Sequence, residues 1–209
     1  GEQIRYAPQL PNEAGERLAA QLGAELVLDD PALRPGFLPE RVLLRVWPGV
    51  RLHWRGKTVV QSAKSKFGMT KRESFFLADY YASQGAEVGL GLWLAENTCE
   101  AELYPAETQL LLDWMREFRD RGGGRMTYCD LGAGPGSSRQ TGAPDAELAQ
   151  IAAKVREVAG TSRIRFSAAP GARLAAGRGM LITRVLAVKE RERPMIVLDL
   201  PSPVQLWPG

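Results

Sequence analysis

The sequence is poor in the residues that build metal sites and disulfide frameworks. It contains two cysteines, Cys99 and Cys129, and a single histidine, His53. The two cysteines have no zinc-ligand spacing and are too few for a disulfide framework. One histidine can build neither a catalytic triad nor a metal site, so we expect a structural or surface role for His53. This composition indicates a protein of the reducing cytoplasm.

Long apolar runs and long runs of one charge are also missing from the sequence. No stretch approaches the roughly 20 apolar residues that cross a bilayer, and no signal-peptide pattern is visible. The 27 basic and 24 acidic residues are interspersed and give a formal net charge of +3. Because this excess is small and unclustered, it does not indicate nucleic-acid binding. We therefore predict neither a membrane nor a nucleic-acid partner.

What the sequence does contain is an alternation of apolar, strand-like runs with amphipathic, helix-like stretches. The predicted strands are QIRYA, AELVLDD, RVLLRVW, AEVGLGLWLA, MTYCDLG and RIRFSAA. Repeated strand–helix units with apolar strands predict an α/β fold, a parallel sheet covered by helices. Beyond residue 172 two strand-like runs flank the charged turn KERERP, which predicts a β-hairpin. We therefore predict one domain over residues 1–171 and the start of a β-domain over residues 172–209.

A glycine-rich turn, CDLGAGPGSS at residues 129–138, joins the fifth predicted strand to a helix-like stretch. Glycine lets the backbone approach a ligand, and free N–H groups at a helix start face anions, so such turns often hold phosphate. The string also fits the nucleotide-binding turn of S-adenosylmethionine methyltransferases, with Asp130 as the acid of that signature. Those enzymes need a second acid after the next strand, where this chain has Ser167, Ala168 and Ala169. A purely structural turn is the third interpretation.

Five stretches, taken in order, resemble the fold-type III pyridoxal-phosphate decarboxylases, the group of the diaminopimelate, ornithine and carboxynorspermidine decarboxylases. They are RVLLRVWPGV, SAKSKFGM, EVGLGLWLAENT, YCDLGAGPG and APGARLAAGRGMLITRVLAVKE. The resemblance covers most of the chain and implies an alanine-racemase-like β/α barrel followed by a β-domain. A closed barrel uses eight strands and about 250 residues. We therefore expect a partial barrel of about six strands, with a sheet edge that needs a covering element or a partner.

The resemblance implies a set of residues around the phosphate of the cofactor, pyridoxal phosphate. Gly132, Gly134 and Gly136 correspond to the turn whose backbone N–H groups hold this phosphate. Arg45 matches a family arginine near the cofactor. Arg173 lies one residue from the position of the family's phosphate-binding arginine and would substitute for it.

Other positions depart from the family where its chemistry depends on them. No lysine precedes Lys57, and one alignment places Gln9 at the lysine that attaches the cofactor, a bond that an amide cannot form. A second alignment places this stretch on a later strand, and then the lysine-bearing units are absent. Trp93 replaces the histidine that stacks on the cofactor ring. Glu96 replaces a phosphate-binding serine, and Ala169 replaces the glutamate that pairs with the pyridine nitrogen.

These substitutions predict a catalytically degenerate relative of an amino-acid decarboxylase that acts in binding or assembly. We expect a homo-oligomer or a complex with a complementing chain, and the altered positions argue against pyridoxal-phosphate binding by this chain. Two alternatives remain open at this point. The chain would be one half of a split, active decarboxylase of basic amino acids, or a methyltransferase that uses the glycine turn.

Overall fold

A computed structural model describes the chain in several ranges. These are residues 4–8, 10–49, 51–54, 57–60, 67–92, 101–132, 148–169, 171, 174 and 182–200, with only the backbone described for 51–54 and 57–60. All structural statements below concern these residues.

Six parallel strands form the main sheet. They are β1 (Arg5–Tyr6), β2 (Glu25–Leu28), β3 (Arg41–Val46), β6 (Glu87–Leu92), β7 (Tyr128–Asp130) and β8 (Arg165–Ser167), in the spatial order β1-β2-β3-β6-β7-β8. Every neighbouring pair is parallel. All six predicted strands and the α/β class are therefore confirmed.

The sheet curls into a half-barrel. β1 and β8 form its two opposite edges, yet a guanidinium nitrogen of Arg5 in β1 donates to the Ser167 hydroxyl of β8 at 2.7 Å. A flat six-stranded sheet would hold its edge strands far apart, because neighbouring strands lie about 4.8 Å from each other. The predicted partial barrel is confirmed.

Four helices in the described residues connect the strands, namely α1 (Glu13–Gln21), α2 (Lys71–Ser83), α3 (Leu103–Asp120) and α4 (Leu148–Ala159). α2 begins with a capping box, in which Thr70 and Glu73 satisfy each other's backbone N–H groups. α3 ends at a glycine cap, in which Gly122 adopts a positive φ of 89° and the next N–H bonds back to Phe118. None of these helices combines the length and apolar character that a membrane span requires.

The helices cover one face of the sheet, which we call the helix-covered face. Aliphatic side chains alternate along the strands on this face and are buried against Phe75, Tyr104, Leu111 and Phe118; the strand residues are Leu26, Leu28, Val42, Leu44, Val46, Val88, Leu90 and Leu92. Cys129 lies among them, and burial raises the pKa of its thiol. The core therefore lies between the sheet and its helices.

Two antiparallel hairpins complete the described structure. β9 (Val185–Lys189) pairs with β10 (Met195–Leu198), which confirms the hairpin predicted around KERERP. The other hairpin, β4 (Arg51–Trp54) with β5 (Lys57–Val60), lies between β3 and α2 and was not predicted. Its short runs carry Arg, His and Lys among the apolar residues, which obscures the period-2 alternation of a strand.

Candidate functional site

The second face of the sheet, which we call the inner face, carries the polar side chains. Their positions follow from the register, in which Arg45 pairs with Gly91, Gly91 with Asp130, and Asp130 with Ser167. Because parallel strands place paired residues on the same face, these four form one row across the sheet. The row lies at the carboxyl ends of the strands, where the glycine turn leaves β7 and where ligands of α/β folds bind.

Asp130 supports the start of the glycine turn. Its Oδ1 accepts the backbone N–H of Gly132 at 2.8 Å, and its Oδ2 accepts the Ser167 hydroxyl at 2.7 Å. The residue is 5% exposed, and Gly132 has a φ of 73°. The Asp130 carboxylate, predicted as the acid of a methyltransferase signature, therefore already accepts hydrogen bonds from groups of this chain. The Gly132 N–H, predicted to face a phosphate, donates to this carboxylate.

Arg5 joins this end of β7 to the opposite edge of the sheet. Its Nη1 lies 2.5 Å from Asp130 Oδ2, and its Nε lies 2.5 Å from Glu25 Oε2. Burial alone would lower the pKa of Arg5, but the two carboxylates raise it above its ordinary value. We call Arg5, Glu25, Asp130 and Ser167 the Arg5 network. The Arg5 network was not predicted from the sequence, although an arginine within an apolar strand indicates a buried partner.

Arg45, predicted from the resemblance to lie near the cofactor, is at the same edge of the sheet and pairs with Asp29 just beyond β2. The distance from Arg45 Nη1 to Asp29 Oδ2 is 2.9 Å, and the Arg45 guanidinium lies 5.8 Å from the Phe67 ring centre. Burial raises the pKa of the Asp29 carboxyl, although Arg45 and the Gly68 N–H oppose this rise. Arg45 thereby ties β3 to β2 and to the loop before α2.

A second polar group lies at the amino ends of the strands on the inner face. Glu87 accepts hydrogen bonds from Arg165, at 2.6 Å, and from the Thr127 hydroxyl. Burial would raise the pKa of Glu87, but these two donors hold it below its ordinary value. Tyr128 lies beside this group, its ring packed over Gly89, where an added Cβ would lie 2.4 Å from the ring.

The described residues do not fit covalently attached pyridoxal phosphate. None of the six strands of the main sheet contains a lysine, and an amine is needed for that attachment. Ala169, which the sequence resemblance predicts at the pyridine-pairing position, donates its N–H to the Gly132 carbonyl at 2.9 Å and offers only a methyl group. Among the described residues, no group of acids, histidines and cysteines could hold a metal ion.

Several predicted positions fall outside the described residues: Gln9, Trp93, Glu96, Gly134, Gly136 and Arg173. Their assignments stay predictions. The described members of the predicted set, Arg45 and Gly132, both lie at the carboxyl edge of the sheet. His53 lies on β4, where only the backbone is described.

Comparison with known proteins gives the same family as the sequence motifs. A diaminopimelate decarboxylase from Deinococcus radiodurans is 28% identical over 204 residues, which are 95% of this chain and 50% of that protein. A solved diaminopimelate decarboxylase has a TM-score of 0.64 at 19% identity, covering 94% of this chain and 48% of its own. The Vibrio vulnificus lysine/ornithine decarboxylase, complexed with putrescine, has a TM-score of 0.61 at 18% identity, covering 93% and 51%. No family model matches the chain.

These comparisons confirm the resemblance to the fold-type III pyridoxal-phosphate decarboxylases. The solved structures are all less than 25% identical and show that the fold is shared. The chain spans about half the length of the relatives it matches.

Proposed function

We propose that this chain, a relative of the fold-type III pyridoxal-phosphate decarboxylases, is catalytically degenerate and acts in binding or assembly. The observation that carries the proposal is the absence of any lysine from the six strands of the main sheet. Ala169 supports it, because an alanine cannot keep a pyridine nitrogen protonated, which removes the electronic role of the family's glutamate.

The hydrogen bonding at the carboxyl edge supports the same conclusion. Asp130 and Asp29 are the acids nearest the glycine turn and Arg45, and both are bonded within the chain. A general acid must reach the atom that it protonates. Their arrangement favours a structural use of this edge over proton transfer to a substrate.

The two sheet edges favour a role in assembly. In the described residues β1 pairs only with β2, and β8 pairs only with β7. Unpaired edges present N–H and C=O groups that associate with further strands. A second copy or a complementing chain would cover them.

The domain division near residue 172 and a cytoplasmic location stay predictions within this proposal.

Reductive trapping tests the loss of cofactor attachment. The chain is incubated with pyridoxal phosphate, reduced with borohydride and mapped by peptide mass spectrometry, with a denatured sample as control. We expect only scattered labelling at surface lysines such as Lys71 and Lys154, at the level of the denatured control. Stoichiometric labelling of one lysine, lost on denaturation, would contradict the proposal.

A split decarboxylase is the second candidate, and one observation favours it. The chain covers only about half the length of the relatives compared above, which is compatible with a second chain that supplies the lysine. Mixing with such a chain would then produce a yellow complex with decarboxylase activity. Unchanged spectra and absence of carbon dioxide release after mixing would exclude this candidate for the partner tested.

A further inference from the structure

A cavity of about 420 Å³ opens on the inner face at the amino ends of the strands. It is lined by Arg5, Glu25, Arg41, Tyr128 and Arg165, with Phe166 and Ser167 at the β8 edge. Its volume lies in the range of small-molecule sites. The first residues of β2, β3, β7 and β8 line it, and Arg5 and Ser167 extend it to the Arg5 network.

The charges that line this cavity are unequal. Arg5, Arg41 and Arg165 contribute three guanidinium groups, and Glu25 contributes the single carboxylate. Arg5 is bonded to Glu25 and Asp130, and Arg165 is bonded to Glu87. Among the described residues, the Arg41 side chain has no hydrogen-bonded partner. Glu87 and Arg41 attract each other electrostatically without a hydrogen bond between them. Arg41 is thus the lining guanidinium that lacks a bonded carboxylate.

A second hydrogen-bond donor lines the same cavity. The Tyr128 hydroxyl is buried near the Glu25 carboxylate without a hydrogen bond of normal geometry, and the whole residue is only 6% exposed. Burial raises the pKa of this phenol, and the Glu25 carboxylate raises it further, so the hydroxyl keeps its proton. A buried hydroxyl without a well-aligned acceptor is unfavourable. A ligand that accepts a hydrogen bond here would satisfy it.

We propose that this cavity binds a small carboxylic acid, whose carboxylate accepts hydrogen bonds from the Arg41 guanidinium and the Tyr128 hydroxyl. A guanidinium and a carboxylate match in charge and in their planar, forked geometry. The Val27 and Leu43 side chains pack with Tyr128 on this face and hold its ring.

Calorimetric titration of the 209-residue chain with succinate, at low ionic strength, tests this site. We expect saturable binding, with no binding of the neutral analogue succinamide. NMR signals of the Arg41 side chain should shift during the same titration. R41Q and Y128F should each weaken succinate binding about tenfold, as expected for a hydrogen bond to a charged group.

R156Q is the matched control, because Arg156 is exposed in the last turn of α4. It should bind succinate as the unmodified chain does. Y128F keeps the ring over Gly89, so it separates loss of the hydroxyl from misfolding. Absence of saturable binding, or equal affinity in R41Q, Y128F and the unmodified chain, would overturn the proposal.

Discussion

The two faces of the six-stranded sheet stabilise their side chains differently, one by apolar packing and the other by ion pairs. The helix-covered face is aliphatic, and its strand residues are in contact with helix side chains. The inner face carries charged residues from every strand, and most of these are paired with one another. Successive residues of a strand point to opposite faces, so each strand contributes side chains both to the helix-covered face and to the inner face. The comparison teaches that apolar packing maintains one face of the sheet, whereas ion pairs and hydrogen bonds maintain the other.

The two faces should also differ in their response to substitution. Apolar contacts are non-directional, so a side chain of similar volume replaces another at small cost. A buried ion pair depends on both partners, and removal of one leaves an uncompensated charge. The following predictions test this difference, from the largest expected effect to the smallest.

A charge on the helix-covered face should have the largest effect. Leu90 is fully buried in β6 between the sheet and its helices. Leu90→Asp would bury a carboxylate without a partner, a cost of several kcal/mol in a protein whose total stability is about 5–15 kcal/mol. We expect loss of the folded state by circular dichroism. Leu90→Met is the matched control, and it should cost less than about 1.5 kcal/mol; a folded, cooperative Leu90→Asp variant would show that the comparison is wrong.

Removal of one charge from the inner face should have the next largest effect. Asp130→Asn keeps the side-chain shape but leaves Arg5 with Glu25 as its only carboxylate. We expect a loss of about 3 kcal/mol in the free energy of unfolding, near the lower end for a buried pair, because 28% of the Arg5 side chain is exposed. Urea unfolding measures this loss.

The triple variant Arg5→Met/Glu25→Gln/Asp130→Leu supplies the comparison for Asp130→Asn. Glu25 is included because removal of Arg5 would otherwise leave its buried carboxylate without a partner. Since all three charges are removed, the triple variant should be more stable than the Asp130→Asn variant. An equal or larger loss in the triple variant would show that Asp130 acts mainly through the oxygen that accepts the Gly132 N–H, which asparagine keeps and leucine lacks.

A partly exposed pair on the inner face should have a smaller effect that depends on pH. The Thr127 hydroxyl and Arg165 hold the pKa of Glu87 below its ordinary value of 4.5. A carboxyl with a lowered pKa stabilises the folded state above its unfolded-state pKa, and this contribution is lost as the pH falls through the folded-state value. Glu87→Gln should therefore cost about 0.5–1 kcal/mol at neutral pH. The difference should shrink below pH 4.5; a constant difference across pH would contradict this origin.

The difference between the faces also explains what the sequence could predict. All six strands were predictable because each lies in a short apolar run between helix-like stretches. The Arg5 network was not, because Arg5 and Asp130 are 125 positions apart and meet only when the sheet curls. Asp130 was identified from its motif as a ligand-binding acid, but in the structure it bonds to the turn, to Arg5 and to Ser167. A local pattern indicates that a polar residue has a role, but the role itself depends on contacts across the sheet.

The smallest effect on stability is expected from Ala169→Glu, which places an acid where the resemblance predicts the family's glutamate. Ala169 is exposed, so the substitution should change stability by less than about 0.5 kcal/mol. An acid at this position can act on a pyridine ring only if the cofactor is held there, and no strand of the main sheet supplies the lysine that attaches it. We therefore expect no new labelling in the pyridoxal-phosphate and borohydride experiment, with Ala168→Glu as the neighbouring control. Specific labelling of one lysine in the Ala169→Glu protein alone would contradict the proposal that this chain cannot attach the cofactor.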